Sequence, residues 1–129
     1  MSVKLVFCVK RLPHLSREDF QKYWRDRHGP LVREAASALA IRRYVQTHTA
    51  PTPLNERLRA GRGAPEEYDG VAELWFDSLD TLAASGATPE GRAAGRRLLE
   101  DERRFIDLAR SPVWIAEEHE VVTPPPAAR

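Results

Sequence analysis

The stretch Val3-Lys-Leu-Val-Phe-Cys-Val-Lys10, followed by Leu12-Pro-His-Leu-Ser-Arg-Glu-Asp-Phe20, decides how the fold begins. The first part is apolar and rich in β-branched residues, which predicts a strand that is buried on at least one face. Ser16 then has the position of a helix N-cap, with Asp19 three residues later as in a capping box. The chain is therefore expected to open with a buried strand that leads into a sharply started helix.

The first helix is predicted to present Phe20, Trp24 and His28 on one side. Gly29-Pro30 predicts an interruption or a kink, and residues 31–40 are expected to continue as a second helical piece. The other predicted elements are strands over 42–49, 71–76 and 113–122, a short helix that starts after Asp77 or Ser78 and runs through Leu82, a longer helix from Thr88-Pro89, and a long loop over 50–66.

The predicted order is strand, helix, strand, strand, helix, strand. This order indicates an α+β fold of the ferredoxin-like βαββαβ kind, with a four-stranded antiparallel sheet and both helices on one face. With 129 residues the chain has the length of one domain. We expect that domain to span 1–122, followed by a Pro-rich tail over 123–129.

Composition excludes several classes of protein. The chain has 20 Lys and Arg against 19 Asp and Glu, so its net charge of +1 argues against a dedicated nucleic-acid binder or a membrane-surface protein. No apolar run approaches the ~20 residues that a membrane span needs. Cys8 is the single cysteine, and there is no signal-peptide pattern, so we expect a cytoplasmic protein.

Two strands carry a mixed set of polar and aromatic side chains. Tyr44, Gln46 and His48 alternate along the second strand, and Glu73 and Trp75 alternate along the third. We expect all five to lie on one face of the sheet, where a second sheet must cover them. This predicts a homodimer that encloses a pocket for a small hydrophobic substrate.

The motif Phe20-x-x-x-Trp24-x-x-x-His28-Gly29-Pro30-Leu31 resembles the EthD family of the dimeric α/β-barrel superfamily. His48, the segment Asp69-Gly-Val-Ala-Glu-Leu-Trp-Phe76 and the segment Asp101-Glu-x-x-Phe105-Ile-Asp107 match as well. The resemblance implies a ferredoxin-like subunit and a dimer with a pocket between sheet and helices. Some fungal members resemble dehydratases that act on polycyclic polyketide anthrones, and others accompany ether degradation. Related barrels carry out cofactor-free oxidation, lactone isomerisation or haem chemistry.

His28 and His48 are the predicted proton-transfer groups. His28 ends the first helix, where the helix dipole stabilises an imidazolium, and histidine titrates near neutral pH. The alternative is that His28 only caps the last turn. His48 points into the predicted pocket, and the alternative is a half-exposed polar strand face.

Glu73 is the third predicted catalytic residue, because a carboxylate beside Trp75 in a closed barrel loses solvation and gains basicity. A salt bridge to an arginine is the alternative. Asp69 is placed to act from the mouth of the strand, although Asp-Gly is also a common turn. The predicted substrate-binding residues are Trp24, Tyr44, Gln46, Asp69, Trp75 and Phe105.

We expect no metal and no cofactor. His14, His28, His48 and His119 show no short ligand spacing, and Cys8 is alone. The leading hypothesis is a cofactor-independent lyase, cyclase or isomerase that works by general acid–base catalysis on an aromatic or polyketide-like substrate. The alternatives are a non-catalytic dimeric binding protein for a small hydrophobic metabolite and a cofactor-free monooxygenase.

Overall fold

A four-stranded antiparallel sheet organises the chain in the computed structural model, which describes residues 3–127. Residues 1–2 of the predicted domain and 128–129 of the predicted tail lie outside the described residues. The strands are β1 (Val3–Val9), β2 (Arg43–His48), β3 (Gly70–Phe76) and β4 (Val113–Ala116), in the order β2-β3-β1-β4. This is the predicted ferredoxin-like arrangement.

Three of the helices start where the sequence indicates, after Ser16, Ser78 and Thr88. The helices are α1 (Arg17–Tyr23), α2 (Gly29–Ala35), α3 (Leu54–Arg62), α4 (Leu79–Ala87) and α5 (Pro89–Glu102), with a 3-10 turn at Leu108–Arg110. Ser16 caps α1 by accepting a hydrogen bond from the backbone N–H of Asp19 at 3.0 Å, and Thr88 caps α5. None of the helices described within 3–127 is long and apolar enough to cross a membrane.

The predicted interruption at Gly29-Pro30 is a π-helical turn, Trp24–His28, that joins α1 to α2 without a break. The N–H of Gly29 donates to the carbonyl of Trp24, five residues earlier. Pro30 has no N–H to donate, and it lies where the π-helical turn passes into α2. The extra residue in the turn therefore lets the helix pass the proline.

Four of the predicted elements differ from the structure. The helical piece predicted over 31–40 ends at Ala35, and the short helix predicted through Leu82 continues to Ala87. The loop over 50–66 contains α3, which Pro53 precedes and Gly63 ends with a φ of 61°. A proline before a helix and a left-handed glycine after it are both common helix boundaries, and here they resemble loop residues. The strand predicted over 113–122 ends at Ala116, because Ala116 pairs with Lys4 and only Val3 of the described β1 lies beyond it.

The core lies between the helices and one face of the sheet. Its largest fully buried side chains are Trp24, Phe20, Phe105 and Val9. Trp24 packs against β3 so closely that a Cβ atom at Gly70 would lie 2.5 Å from its ring and 2.6 Å from the carbonyl oxygen of Thr47. Only glycine fits at that position, which couples the first helix to the middle of the sheet.

The strand register shows that the five predicted face-sharing residues lie on opposite faces. Tyr44 pairs with Leu74 and Gln46 with Ala72, whereas Glu73 pairs with Val45. Residues that are directly opposite in an antiparallel pair lie on the same face. Tyr44, Gln46 and His48 therefore lie on the face that the helices cover, which we call the helix face. Glu73 and Trp75 lie on the other, the open face.

Candidate functional site

The side-chain amide of Gln46 is held in one orientation by the backbone of the π-helical turn. Its Nε2 atom donates to the carbonyl oxygen of Trp24 at 2.9 Å. A backbone carbonyl can only accept, so this contact distinguishes the nitrogen of the amide from its oxygen. The same Nε2 atom donates to the hydroxyl oxygen of Tyr44 at 2.9 Å. The Oε1 atom of Gln46 is therefore left to accept from His48.

The orientation of Gln46 decides which ring nitrogen of His48 carries a proton. Nε2 of His48 lies 2.8 Å from Oε1 of Gln46, which can only accept. Nε2 therefore carries the proton, and the neutral ring keeps a lone pair on Nδ1. Burial lowers the pKa of His48, and the positive charge of Arg25 lowers it further. At neutral pH the ring is mostly uncharged and able to accept a proton at Nδ1.

Tyr44 is arranged as a hydrogen-bond donor. Its oxygen accepts from Gln46, and its hydroxyl hydrogen has no acceptor within residues 3–127. Burial raises the pKa of Tyr44 to about 12, although hydrogen bonds from Gln46 and Trp24 act in the opposite direction. The phenol therefore stays protonated at neutral pH and can donate to an oxygen atom of a bound molecule.

The indole of Trp24 fixes the ring of His48. The two rings stack with their centroids 4.5 Å apart and an angle of 28° between their planes. Trp24 is itself 1 % exposed and packed against Gly70, the residue that pairs with His48. The imidazole is thus oriented by a buried neighbour on one side and by the Gln46 amide on the other. Trp24, a predicted binding residue, acts here as a support.

His28 belongs to a second network. Its Nδ1 atom lies 2.8 Å from Oδ2 of Asp101, and the hydroxyl of Tyr23 donates to Oδ1 of the same carboxylate at 2.6 Å. Burial lowers the pKa of His28, and the hydrogen bond and charge of Asp101 counteract only part of that effect. The neutral ring donates from Nδ1 to Asp101 and keeps its lone pair on Nε2, as in other histidine–carboxylate pairs.

The expectation that a helix C-terminus stabilises the His28 cation is wrong. The helix continues through the π-helical turn into α2, so His28 does not lie at a helix end. The ring is 4 % exposed and packs against Phe105, with the two ring centroids 5.1 Å apart. Its environment therefore favours the neutral imidazole.

Glu102 is a candidate site residue that the sequence analysis missed. It follows Asp101 at the end of α5. Burial raises the pKa of Glu102 to about 7, and the negative charge of Asp101 contributes to the rise. The charge of Glu102 in turn raises the pKa of Tyr44, so its carboxyl lies within electrostatic reach of the phenol. The available signal is a glutamate at helical spacing among buried residues such as Leu98 and Phe105.

A cleft of about 400 Å³ opens beside Tyr44 and Gln46, between α2 and β2. Its apolar part includes Val32 and Ile41. The helix α2 lies close to β2 here, since a Cβ atom at Gly29 would lie 3.5 Å from Nε2 of Gln46, which is an ordinary contact distance. His28 and His48 do not line this cleft. His48 is connected to it through Gln46.

Two predicted site residues lie on the open face, away from this cleft. Glu73 forms a salt bridge with the ammonium group of Lys4. A salt bridge is the alternative that the sequence indicates for Glu73, with an arginine as the expected partner. The guanidinium of Arg43 lies 4.6 Å from the ring centre of Trp75, and the indole N–H of Trp75 donates to Glu118 at 2.7 Å. The structure therefore does not bring Glu73 together with His48, because the two side chains lie on opposite faces of the sheet.

Asp69 and Phe105 are buried among residues that stabilise the fold. Asp69 is fully buried, forms ion pairs with Arg11 and Arg17, and accepts from the backbone N–H of Arg11 at 2.7 Å. These partners hold its pKa below the usual range even though burial acts the other way. Phe105 is fully buried and packs against Phe20, with the ring centroids 5.4 Å apart and the ring planes tilted by 44°. Neither side chain lines the cleft.

Among residues 3–127, no three His, Cys, Asp or Glu side chains are placed to hold one metal ion. The chemistry that the site itself offers is proton transfer by uncharged histidines and hydrogen bonding by a phenol.

Comparisons with known proteins place this geometry in a family. The model of the EthD domain matches residues 12–109. A solved EthD family protein from Bacillus halodurans C-125 is 22% identical and has a TM-score of 0.61, with 92% of this chain and 100% of that chain covered. No curated protein matches the chain.

Two further solved structures are similar at lower identity. One is a dimeric protein of unknown function and ferredoxin-like fold from Bacteroides fragilis NCTC 9343, at 15% identity and a TM-score of 0.56, covering 91% of this chain and 96% of that one. The other is SnoaB, a cofactor-independent oxygenase from Streptomyces nogalater, at 12% identity and a TM-score of 0.53, covering 94% and 96%. The fold, the motif around His28 and the match of the family model together lead to one conclusion: the chain belongs to the EthD domain family.

Proposed function

We propose that the protein is a cofactor-independent enzyme that moves a proton on a small, flat, apolar molecule with an enolisable carbonyl group. The reaction is of the lyase, cyclase or isomerase type. The molecule lies in the cleft between α2 and β2, and its reacting end extends past Gln46 to His48. The observation that carries the proposal is the fixed amide of Gln46. It leaves the hydroxyl hydrogen of Tyr44 and the Nδ1 lone pair of His48 without protein partners among residues 3–127.

In the proposed reaction, Nδ1 of His48 removes a proton from the carbon next to the carbonyl. Negative charge then develops on the carbonyl oxygen, and the hydroxyl of Tyr44 donates a hydrogen bond to it. The imidazolium of His48 returns the proton to another carbon in an isomerisation, or to a departing hydroxyl group in a dehydration. Both groups start in the protonation state that their surroundings favour.

His28 is the second proposed proton-handling group. Its Nδ1–H bond to Asp101 leaves Nε2 as the basic atom, and Glu102, with its pKa of about 7, lies next to Asp101 in the chain. A group that titrates near neutral pH is suited to return a proton that another group has removed. We therefore propose His28 and Glu102 as secondary groups that exchange protons with the site, while His48 removes the proton of the bound molecule and returns it.

A binding protein is the second candidate, and one observation favours it. Tyr44 and Gln46 line the cleft, whereas neither histidine does. A ligand there meets hydrogen-bond donors and apolar walls without touching a base. A cofactor-independent oxygenase, the activity printed for SnoaB, would use the same deprotonation and then react the carbanion with oxygen. Oxygen consumption by the wild type distinguishes that reaction.

We also propose a cytoplasmic homodimer that forms through the open face. That face carries Val6, Val45 and Val71, which are half-buried, and Trp114, which is 47 % exposed. The similar protein from Bacteroides fragilis is described as dimeric. Sedimentation should find a dimer for the wild type and a monomer for Trp114→Glu. A monomeric wild type at micromolar concentration would remove this part of the proposal.

Exchange of the methylene hydrogens of anthrone with deuterated water tests the proposed chemistry, with NMR as the readout. The wild type should accelerate the exchange. His48→Gln should lower the rate by at least ~10², the low end of the range for a lost general base, and Tyr44→Phe by a similar factor. His14→Gln and Tyr68→Phe, which change exposed side chains away from the cleft, should keep the wild-type rate. Binding of anthrone without accelerated exchange would favour the binding protein.

A further inference from the structure

The cleft between α2 and β2 has a rim of arginines. Arg25, Arg33, Arg42 and Arg43 line it, and none of its lining residues is acidic. The chain as a whole has almost equal numbers of acidic and basic residues, so a cleft lined by one sign of charge is a local feature. Concentrated charge of one sign around a cleft attracts ligands of the opposite sign.

The four guanidinium groups are not equally available. Arg43 lies over Trp75 on the open face. Arg42 is 3.5 Å from Asp77 and Arg25 is 3.0 Å from Asp26, and both are exposed surface pairs, which are weak in water.

Arg33 forms no ion pair with any residue in 3–127. It is exposed on α2, one helical turn after Gly29, where that helix approaches β2. Its guanidinium is thus the most available of the four.

We propose that the cleft binds an anionic ligand, namely a flat apolar molecule that carries a carboxylate. Arg33 and Arg25 bind the carboxylate, the apolar part packs on Val32 and Ile41, and Tyr44 donates to a second oxygen of the ligand. This inference rests on the proposed function for the location of the site and adds the class of ligand. Guanidinium groups suit the task because they bind carboxylates with two parallel hydrogen bonds.

The charge of Arg25 already acts on the proposed catalytic groups, since it lowers the pKa of His48. A carboxylate bound at Arg25 would offset that charge. Binding of an anionic ligand would therefore make His48 a stronger base at the moment when the ligand is in place. A neutral ligand would not have this effect.

Titration calorimetry with naphthoate and naphthamide tests the inference, because the two probes have nearly the same shape and differ in charge. The wild type should bind naphthoate about tenfold more tightly, as expected for one charge-assisted hydrogen-bonded contact, and the preference should shrink as salt is added. Arg33→Gln should remove most of the preference, and Arg25→Gln part of it. Arg96→Gln, an exposed arginine of α5 that does not line the cleft, should leave it unchanged.

Equal affinity for both probes, binding of neither probe, or a preference that survives the double change of Arg33 and Arg25 would overturn the inference. The exchange of anthrone hydrogens separates this failure from a failure of the proposed function, since anthrone carries no carboxylate. If exchange depends on His48 while naphthoate is not preferred, only the anionic ligand is wrong. If naphthoate is preferred and exchange does not depend on His48, only the chemistry is wrong.

Discussion

The two faces of the sheet differ in the charge of their polar side chains. On the helix face, Gln46 joins Tyr44 and His48 in a network of uncharged groups that a backbone carbonyl orients. On the open face, Glu73 is bonded to the ammonium group of Lys4. The polar groups of the open face are thus joined in a salt bridge. The helix face keeps groups that can still gain or give a proton.

The same contrast separates the two buried aspartates. Asp69 is surrounded by two arginines, which keep it ionised and tie the start of β3 to the chain around α1. Asp101 contacts the hydroxyl of Tyr23 and the ring of His28, and its one arginine partner within residues 3–127, the exposed Arg104, is farther away at 3.8 Å. A buried carboxylate that forms ion pairs with two arginines stabilises the fold. A carboxylate that is hydrogen-bonded to an uncharged histidine can instead orient that histidine for proton transfer. Residue type alone does not distinguish the two.

The largest expected effect concerns the packing of the helix face. Trp24→Ala should lower the free energy of unfolding by roughly 3–5 kcal/mol, because it removes a fully buried indole from the core. Trp114→Ala, on the open face, should mainly weaken the dimer. Denaturant unfolding at several protein concentrations checks both, because only the effect of Trp114→Ala should depend on concentration. If Trp24→Ala melts within a few degrees of the wild type, the helix face is not the core.

The sequence predicted the fold well because its signals are local. Ser16 and Thr88 are helix caps, and alternation along each strand indicates which of its own residues share a face. Alternation does not show which residues of two neighbouring strands share a face, because a shift of the pairing register by one residue moves every side chain of a strand to the other face. That relation is set here by the pairing of Gly70 with His48, where Trp24 needs a residue without a side chain. For this reason the prediction that Gln46 and Glu73 share one face of the sheet was wrong.

The site was predicted in part for the same reason. The sequence identified Tyr44, Gln46 and His48 as neighbours, and the structure places them in one network. It did not identify Asp101 as the partner of His28, because 73 residues separate them in the chain. The role of Glu102 depends on burial at the end of α5, which only the packed structure defines.

A smaller effect concerns the titration of Glu102 on the helix side. Its pKa is about 7 in the folded protein against 4.5 ordinarily. Between these values the unfolded chain binds fewer protons than the folded one, so this group's contribution to stability falls as pH rises through that window. Glu102→Gln cannot titrate. The free energy of unfolding of this variant, relative to that of the wild type, should therefore rise by on the order of 1–3 kcal/mol between about pH 5 and about pH 8.

Thermal or denaturant unfolding at the two pH values measures this gain. Glu100→Gln changes an exposed carboxylate on the same helix and should show almost no dependence on pH relative to the wild type. A Glu102→Gln variant whose relative stability is the same at both pH values would show that the carboxyl is not held in its protonated form.

The most direct test of the central claim compares Gln46→Leu with Glu73→Gln in the exchange of anthrone hydrogens. The claim is that proton transfer takes place on the helix face and depends on the orientation that Gln46 gives to Tyr44 and His48. Gln46→Leu should lower the exchange rate by about 10² at unchanged dimer content, because both partners lose their fixed orientation. Glu73→Gln should keep the wild-type rate. An exchange rate at the wild-type level in Gln46→Leu, together with a strongly lowered exchange rate in Glu73→Gln, would contradict the account and place the chemistry on the open face.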